Sequence, residues 1–412
     1  MNRKVICALL APFFFACTDI DVKELGSEWK SIERDLQTQL ITSEDSVVID
    51  LPEGHFMFKR SLSLDGKKHI TLKGQGIDKT ILSFEMQEEG AEGLKISNAT
   101  NITLEDFTIE NAKGDNIKIT DSRGVTIRRV KSQWTGEPDE QNGAYAFYPV
   151  LSKRVLIEEC IAIGASDAGI YVGQSDSVIV RNNEAMYNVA GIESENSKWV
   201  EIYNNSSHDN TGGILVFDLP GLTQYGHTTR VYLNNVFNNN FRNFAPAGNV
   251  VATVPPGTGI MLLATRDIEI FKNEITNNRT VGTAIVSYDI VEALATPDES
   301  QLNANIEKSK RDIDYNPYPA NVFIHDNSFQ NDYWFPTLSN DFGKLFLFKF
   351  PFATPDIVWD GIYPSGEQLT MCIDETDIAF ANLDAANDFE NLNTTLGNFE
   401  CVGEAMDPIL KL

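Results

Sequence analysis

The stretch from Asp167 to Asp218, DAGIYVGQSDSVIVRNNEAMYNVAGIESENSKWVEIYNNSSHDNTGGILVFD, states one theme three times. Gly169, Gly191 and Gly213 stand 22 residues apart, and Ile170, Ile192 and Ile214 keep the same step. A fixed period of this size marks a solenoid. Within each unit a short alternating run (Ile170/Val172, Ile192/Ser194, Ile214/Val216) precedes a second one (Val178/Val180, Val200/Ile202). Period two means strands rather than helices. A third landmark is an Asn pair, Asn182-Asn183, Asn204-Asn205 and Asn234-Asn235, with a further Asn five residues on at Asn188, Asn210 and Asn240. Asn tolerates left-handed backbone at a turn and can bond to its counterpart in the next coil, so such residues hold corners in register.

The pattern spreads in both directions. Leu94/Ile96 with Ile102/Leu104, and Ile117/Ile119 with Val125/Ile127, read as earlier coils, and the corner spacing returns at Asn273 to Asn278 and Asn327 to Asp332. The expected architecture is all-β: roughly ten coils of a parallel β-helix with apolar residues stacked inside. Leucine-rich repeats are excluded, because their Leu spacing and helical return segment are missing. A helix at Trp29, Ile32, Leu36 and Leu40, with Ser27 as N-cap, is expected to close the first open edge. From about Tyr333 the Asn corners vanish and the chain becomes aromatic and then acidic, which reads as an irregular C-terminal cap. The expected divisions are a signal peptide over 1–16, a lipidated linker over 17–26, the solenoid with its N-terminal cap over 27–332, and the C-terminal cap over 333–412.

The 412 residues carry a formal net charge of −26, which repels phosphate backbones and excludes nucleic acid as a partner. The same charge opposes a polyanionic sugar unless Lys and Arg cluster locally or a cation mediates. The start, MNRKVICALLAPFFFAC, has a basic end, an apolar run too short to span a bilayer and a small residue before Cys17: an export signal. Its end resembles the lipobox of bacterial lipoproteins, which makes Cys17 the lipidation site and the N-terminal lipid the only membrane contact; cleavage without a lipid is the alternative. Of the remaining cysteines, Cys160 is expected to be buried, while Cys372 and Cys401 share the tail and can pair in an exported compartment. No Cys/His spacing suits a metal, Gly74-Gln75-Gly76 lacks the following helix of a nucleotide loop, and no cofactor is evident, with calcium left open.

Departures from the period locate function, since insertions in a repeat array map to loops. LPGLTQYGHTT, FRNFAPAGNVVATVPPGT, QWTGEPDEQNG and the segment from Tyr288 to Ala320 all flank the first strand row. They are expected to wall a groove over it. Alternation points Lys95, Lys118, Tyr148, Tyr171, Glu193 and Leu215 outward in one column, with Thr120, Val150, Gly173, Glu195 and Phe217 beside it. His227, in the LTQYGHTTR wall, is the histidine best suited to move a proton. His208 reads as surface decoration, and Asp167 and Asp218 as residues that order turns.

The blocks SDAGIYVGQS, NVAGIE, NTGGILVFDLPGL and NFAPAGN resemble the right-handed parallel β-helix repeat proteins of bacterial envelopes, within the pectin-lyase-like fold group. The likeness runs from about Val48 through Asp332. It implies a right-handed coil in the periplasm or at the outer membrane, and a fold group that includes polysaccharide lyases, galacturonan hydrolases, uronate epimerases and sugar-binding proteins. The Asp-Pro-His-Asp block of the alginate epimerases and the paired-Asp hydrolase block are absent. Two functions follow. In one, the groove binds or acts on a polysaccharide by lyase or epimerase chemistry: Tyr148 or Tyr171 exchanges the proton, Lys118 neutralises the uronate, and Glu193, Glu195, Lys95 and Phe217 hold the substrate. In the other, a non-catalytic envelope scaffold meets a protein partner through apolar walls at Leu215, Phe217 and VVATVPPG.

Overall fold

A computed structural model describes residues 22–294, 310, 312–339, 341–364 and 369–409. Cys7, Cys17 and the expected signal peptide lie outside these residues. Each coil supplies three strands, as in Ala168–Gly173, Asp176–Arg181 and Glu184–Met186, then Ala190–Glu195, Lys198–Tyr203 and Ser206–His208. First strands stack into an 11-stranded sheet, and second and third strands into a 19-stranded one. Pairing is parallel, with Ile170 opposite Ile192 and Val178 opposite Val200. The inward column Ile170, Ile192, Ile214 and Ile260 is fully buried, each side chain contributing about 1.5–3 kcal/mol on transfer from water. The period-two reading is thus the physical core of a parallel β-helix.

The corners are held by two Asn ladders. The backbone N–H and Nδ2 of Asn183 both donate to Asn205 Oδ1 at 3.0 Å, and the pattern repeats through Asn234, Asn273 and Asn327 before ending on Glu375. A second ladder joins Asn188, Asn210, Asn239 and Asn278. Its third member is Asn239 rather than the expected Asn240, because Asn234 and not Asn235 enters the first ladder. The left-handed residue is the one before the ladder Asn: Asn182, Asn204, Leu233, Lys272 and Asp326 have φ of 55, 54, 54, 54 and 55°. One residue turns the chain and the next makes the bonds, which leaves few buried amides unpaired. At the corner after the first strand, Ser152, Ser175 and Ser197 form a shorter ladder, each hydroxyl receiving an N–H from the coil before.

The N-terminal edge is closed as expected, although the helix starts earlier and spans Val22–Thr42. Leu36 and Leu40 seal the core. Gln37 bonds both Ser63 N–H and Ser63 C=O at 2.8 and 2.9 Å, so a side chain occupies the place of a further strand. The other end departs from expectation. Ile357–Trp359, Met371–Asp374 and Phe380–Asn382 continue the two sheets, so coils run well past Asp332. The 331–356 insertion breaks the corner motif and hides these coils in the sequence. Cys372 and Cys401 are joined, with Cα atoms 5.6 Å apart, and the tail beyond runs back over the second-strand face, where Met406 N–H and Ile409 N–H donate to Glu269 and Glu201. Cys160 is buried and unpaired, and burial pushes its thiol up to about 12.

Candidate functional site

The expected outward column exists. Lys95 lies opposite Lys118, Lys118 opposite Tyr148, Tyr171 opposite Glu193, and Glu193 opposite Leu215. Glu195 and Phe217 pair in the neighbouring column. What differs is exposure. The Lys95 side chain is 44 % exposed and Lys118 28 %, whereas Tyr171 retains 3 %, Glu193 2 % and Leu215 nothing. The insertions fold across the row instead of standing beside it: Val250, Val251, Val254, Ile290, Val291 and Phe346 pack on Leu215, Phe217, Met261, Leu263 and Val286 as a second apolar cluster. The groove is therefore open only over the early coils.

Phe217 is 1 % exposed, packed inside that cluster rather than facing an open groove. Leu215, Val250, Val251 and Val254 are likewise buried in the cover, so these apolar walls expected to meet a partner are not free. His227 begins a second-strand segment, His227–Tyr232, of the 19-stranded sheet, where it lies opposite Lys198. Its ring packs edge-on against Trp199 with centroids 5.2 Å apart, and Nδ1 meets Thr228 Oγ1 at 2.8 Å. The loop returns it to the corner before the second strand, which is why it misses the groove wall. Burial, Lys198 and Arg266 push its pKa down. His208 lies between Glu184 and Asp209, stacked on Phe237.

Where covering begins, the polar residues converge. A cavity of roughly 130 Å³ is lined by Tyr145, Asp167, Glu193 and Glu195, with Leu219 and residues 248–251 of the covering loop. Asp167 sits one residue ahead of its strand and so points into the cavity from the edge of the row. Asn249 Nδ2 reaches Asp167 Oδ2 at 3.4 Å from the covering loop, and Arg242 ties that loop to Pro138 of the earlier insertion. Tyr171 donates to Glu195 Oε1 at 2.8 Å; its ring crosses Gly173, where a Cβ would stand 2.2 Å from the hydroxyl. Tyr145, Tyr148 and Tyr171 form one aromatic group with centroids 4.3, 4.6 and 4.9 Å apart. Glu193 Oε2 is buried with no hydrogen-bond partner. Tyr145, Asp167 and Asn249 are the members sequence reasoning missed; the edge position of Asp167 on the strand row was the available signal for one of them.

Burial dominates the electrostatics. It raises Asp167 to about 8, helped by the Glu195 charge, and raises Glu193 well above the carboxylate range, with Asp167 and Glu195 adding repulsion. Glu195 rises to about 7 by burial, opposed by the Tyr171 hydrogen bond. Like charges confined together cannot all ionise, so the cluster holds acid and base forms side by side near neutrality. All three tyrosines are pushed up by burial and by these carboxylates, which keeps them phenols and hydrogen-bond donors rather than bases. Lys118 is already engaged: its Nζ is 3.3 Å from Asp115, 3.7 Å from Glu92 and 4.9 Å from the Tyr148 ring centre. Lys95 pairs with the same Glu92 at 3.9 Å. Among the described residues no group of three or more His, Cys, Asp or Glu is arranged to hold a metal ion.

The family model described as a right-handed beta helix region matches residues 63–221 and 142–294. The A-module of the Azotobacter vinelandii mannuronan C-5 epimerase AlgE6 is similar in structure, with TM-score 0.53 and 12% identity over 85% of this chain and 92% of that one. DFA-IIIase from Arthrobacter chlorophenolicus A6 gives 0.48 and 10% over 85% and 91%, and alginate lyase AlyF-OU02 with G6 gives 0.42 and 16% over 85% and 81%. No curated protein matches the sequence.

Proposed function

The chain belongs to the right-handed β-helix family, and on that premise we propose that it is an exported carbohydrate-active protein whose glycan lies over the open coils at Lys95 and Lys118 and ends in the Asp167, Glu193 and Glu195 pocket. The carrying observation is geometric: three carboxyl groups, one with an unpartnered buried oxygen, share one cavity with a tyrosine group at the mouth of a groove. The mannuronan C-5 epimerase module of similar fold supports a sugar as the substrate class. Tyrosine rings supply faces for sugar rings, and buried carboxyls supply orienting acceptors.

The chemistry favoured is acid–base work by the carboxyls. A protonated member serves as acid toward a glycosidic oxygen while an ionised neighbour serves as base or stabilises positive charge on the sugar. Uronate lyase or epimerase chemistry is the second form of the reading. It fits less well, because raised tyrosine pKa values oppose Tyr148 and Tyr171 as bases and Lys118 is committed to Asp115 and Glu92. Incubation with neutral, amine-bearing and uronate polysaccharides tests this: reducing ends should appear without unsaturated ultraviolet-absorbing products, and Glu193→Gln should abolish them. Unsaturated products would establish lyase chemistry instead.

Export belongs to the proposal, supported by the Cys372–Cys401 pair, which suits an oxidising compartment. So does a lipid on Cys17, which mass spectrometry of the mature N-terminus would detect. The envelope-scaffold reading keeps one specific observation in its favour, the exposed aromatic patch of Trp334, Phe335, Phe348 and Phe352. Absence of binding to every glycan on an array would leave that reading standing and remove the carbohydrate one.

A further inference from the structure

We propose that the pocket takes a primary ammonium carried on a sugar ring, so that the glycan bound is an amino-sugar polymer with free amines. The inference rests on the carbohydrate reading of the same site and adds the charge of its ligand.

Asp167, Glu193 and Glu195 line the cavity, and among its lining residues there is no lysine, arginine or histidine. The nearest lysine of the column, Lys118, is held outside by Asp115 and Glu92. Confined carboxylates without a counter-ion repel one another, and Glu193 Oε2 accepts nothing at all. A sugar hydroxyl could bond to that oxygen yet would leave the repulsion untouched. A uronate would add another negative charge. An ammonium relieves it: three N–H donors radiate from one positive centre, matching several carboxyl oxygens at once. The aromatic group points the same way. Lys118 Nζ already rests 4.9 Å from the centre of Tyr148, so this tyrosine cluster accepts an ammonium on its outer face.

Proton linkage follows. Burial and mutual repulsion hold Asp167 up to about 8 and Glu195 up to about 7, so the empty pocket retains protons that an incoming ammonium displaces. The other groups facing it do not reverse this. Asp115 and Asp218 are themselves raised by burial, and Tyr145, Tyr148, Tyr171 and Tyr288 stay neutral. Three carboxyls facing one ammonium leave at least one able to keep its proton, so an acid survives for the chemistry above.

The experiment is calorimetric titration of the full chain with a glucosamine oligomer, its N-acetylated counterpart, a glucose oligomer, a uronate oligomer and a plain aliphatic diamine, in buffers of differing ionisation enthalpy. The glucosamine oligomer should bind about tenfold or more tighter than the N-acetylated and neutral oligomers. At about pH 6, where both amine and carboxyls are protonated, its binding should release protons to the buffer. Glu193→Gln should weaken it about tenfold while the circular dichroism spectrum stays unchanged. Equal binding of the N-acetylated or neutral oligomer, or preference for the uronate, overturns the amine while the carbohydrate reading stands. A diamine that binds as tightly as the amino sugar overturns the sugar part. Failure of all the oligomers removes both.

Discussion

The two halves of the first-strand row share one backbone and one register and differ in what stands on them. At Lys95 and Lys118 the outward side chains are charged, partly exposed and paired with Glu92. At Leu215 and Met261 the equivalent positions, and at Phe217 and Leu263 those of the neighbouring column, are apolar and sealed under the insertions. Outward in a solenoid thus means away from the inner core and not toward water. Whether a loop folds over the row decides the rest. The acidic pocket occupies the junction, where cover begins two coils before the column turns apolar, and carboxyls there are dehydrated without being replaced by hydrocarbon.

The sharpest way to break this contrast is Phe217→Ala. If Phe217 lined a wet groove the change would be nearly neutral; sealed as it is, the expected loss is about 3–5 kcal/mol in urea unfolding. Next comes Asn205→Ala. It removes a ladder rung that serves both Asn183 and Asn234 and strands buried amides, with an expected cost of about 2–3 kcal/mol. An unchanged unfolding midpoint would show that the corners hold without it.

Glu193→Gln should act with the opposite sign at alkaline pH. Burial raises the folded pKa of Glu193 and Asp167 above their unfolded values, so their contribution is intact below about pH 4 and is lost as pH rises through the folded values. The wild-type protein should therefore lose stability between about pH 5 and 8, and Glu193→Gln should recover about 1–3 kcal/mol at the upper end. A pH profile of the variant parallel to that of wild type would refute the charged-pocket account. Smallest of all is Lys95→Ala, an open-half surface pair, expected to shift stability by no more than about 0.5 kcal/mol.

Most of the scaffold was legible from residues. The 22-residue step, the alternation and the Asn corners fixed strands, stacking and facing, because inner packing and corner bonding recur identically in each coil. The misses share one cause. The spacing points to Asn240 where Asn239 makes the bonds, to a cap where coils continue beyond Asp332, and to a groove wall where His227 sits at a corner, each beside an insertion that interrupts the repeat. The site was legible only as a column. Lys118, Tyr148, Tyr171 and Glu193 do share a wall, but the cavity is completed by Asn249 from a loop and by Asp167 at a strand edge. Loop conformation depends on contacts that no period announces.

The Asn ladder has a consequence for how such a protein can change. Its rungs link residues 22, 29, 39 and 54 positions apart, yet each side-chain bond stays between 2.9 and 3.0 Å. Corner bonding is blind to how much chain loops out between two rungs, and closing a longer loop costs only slowly more entropy. New cassettes can therefore be spliced or grafted beside the strand row, and the ligand chemistry rebuilt, without renegotiating the frame that carries it.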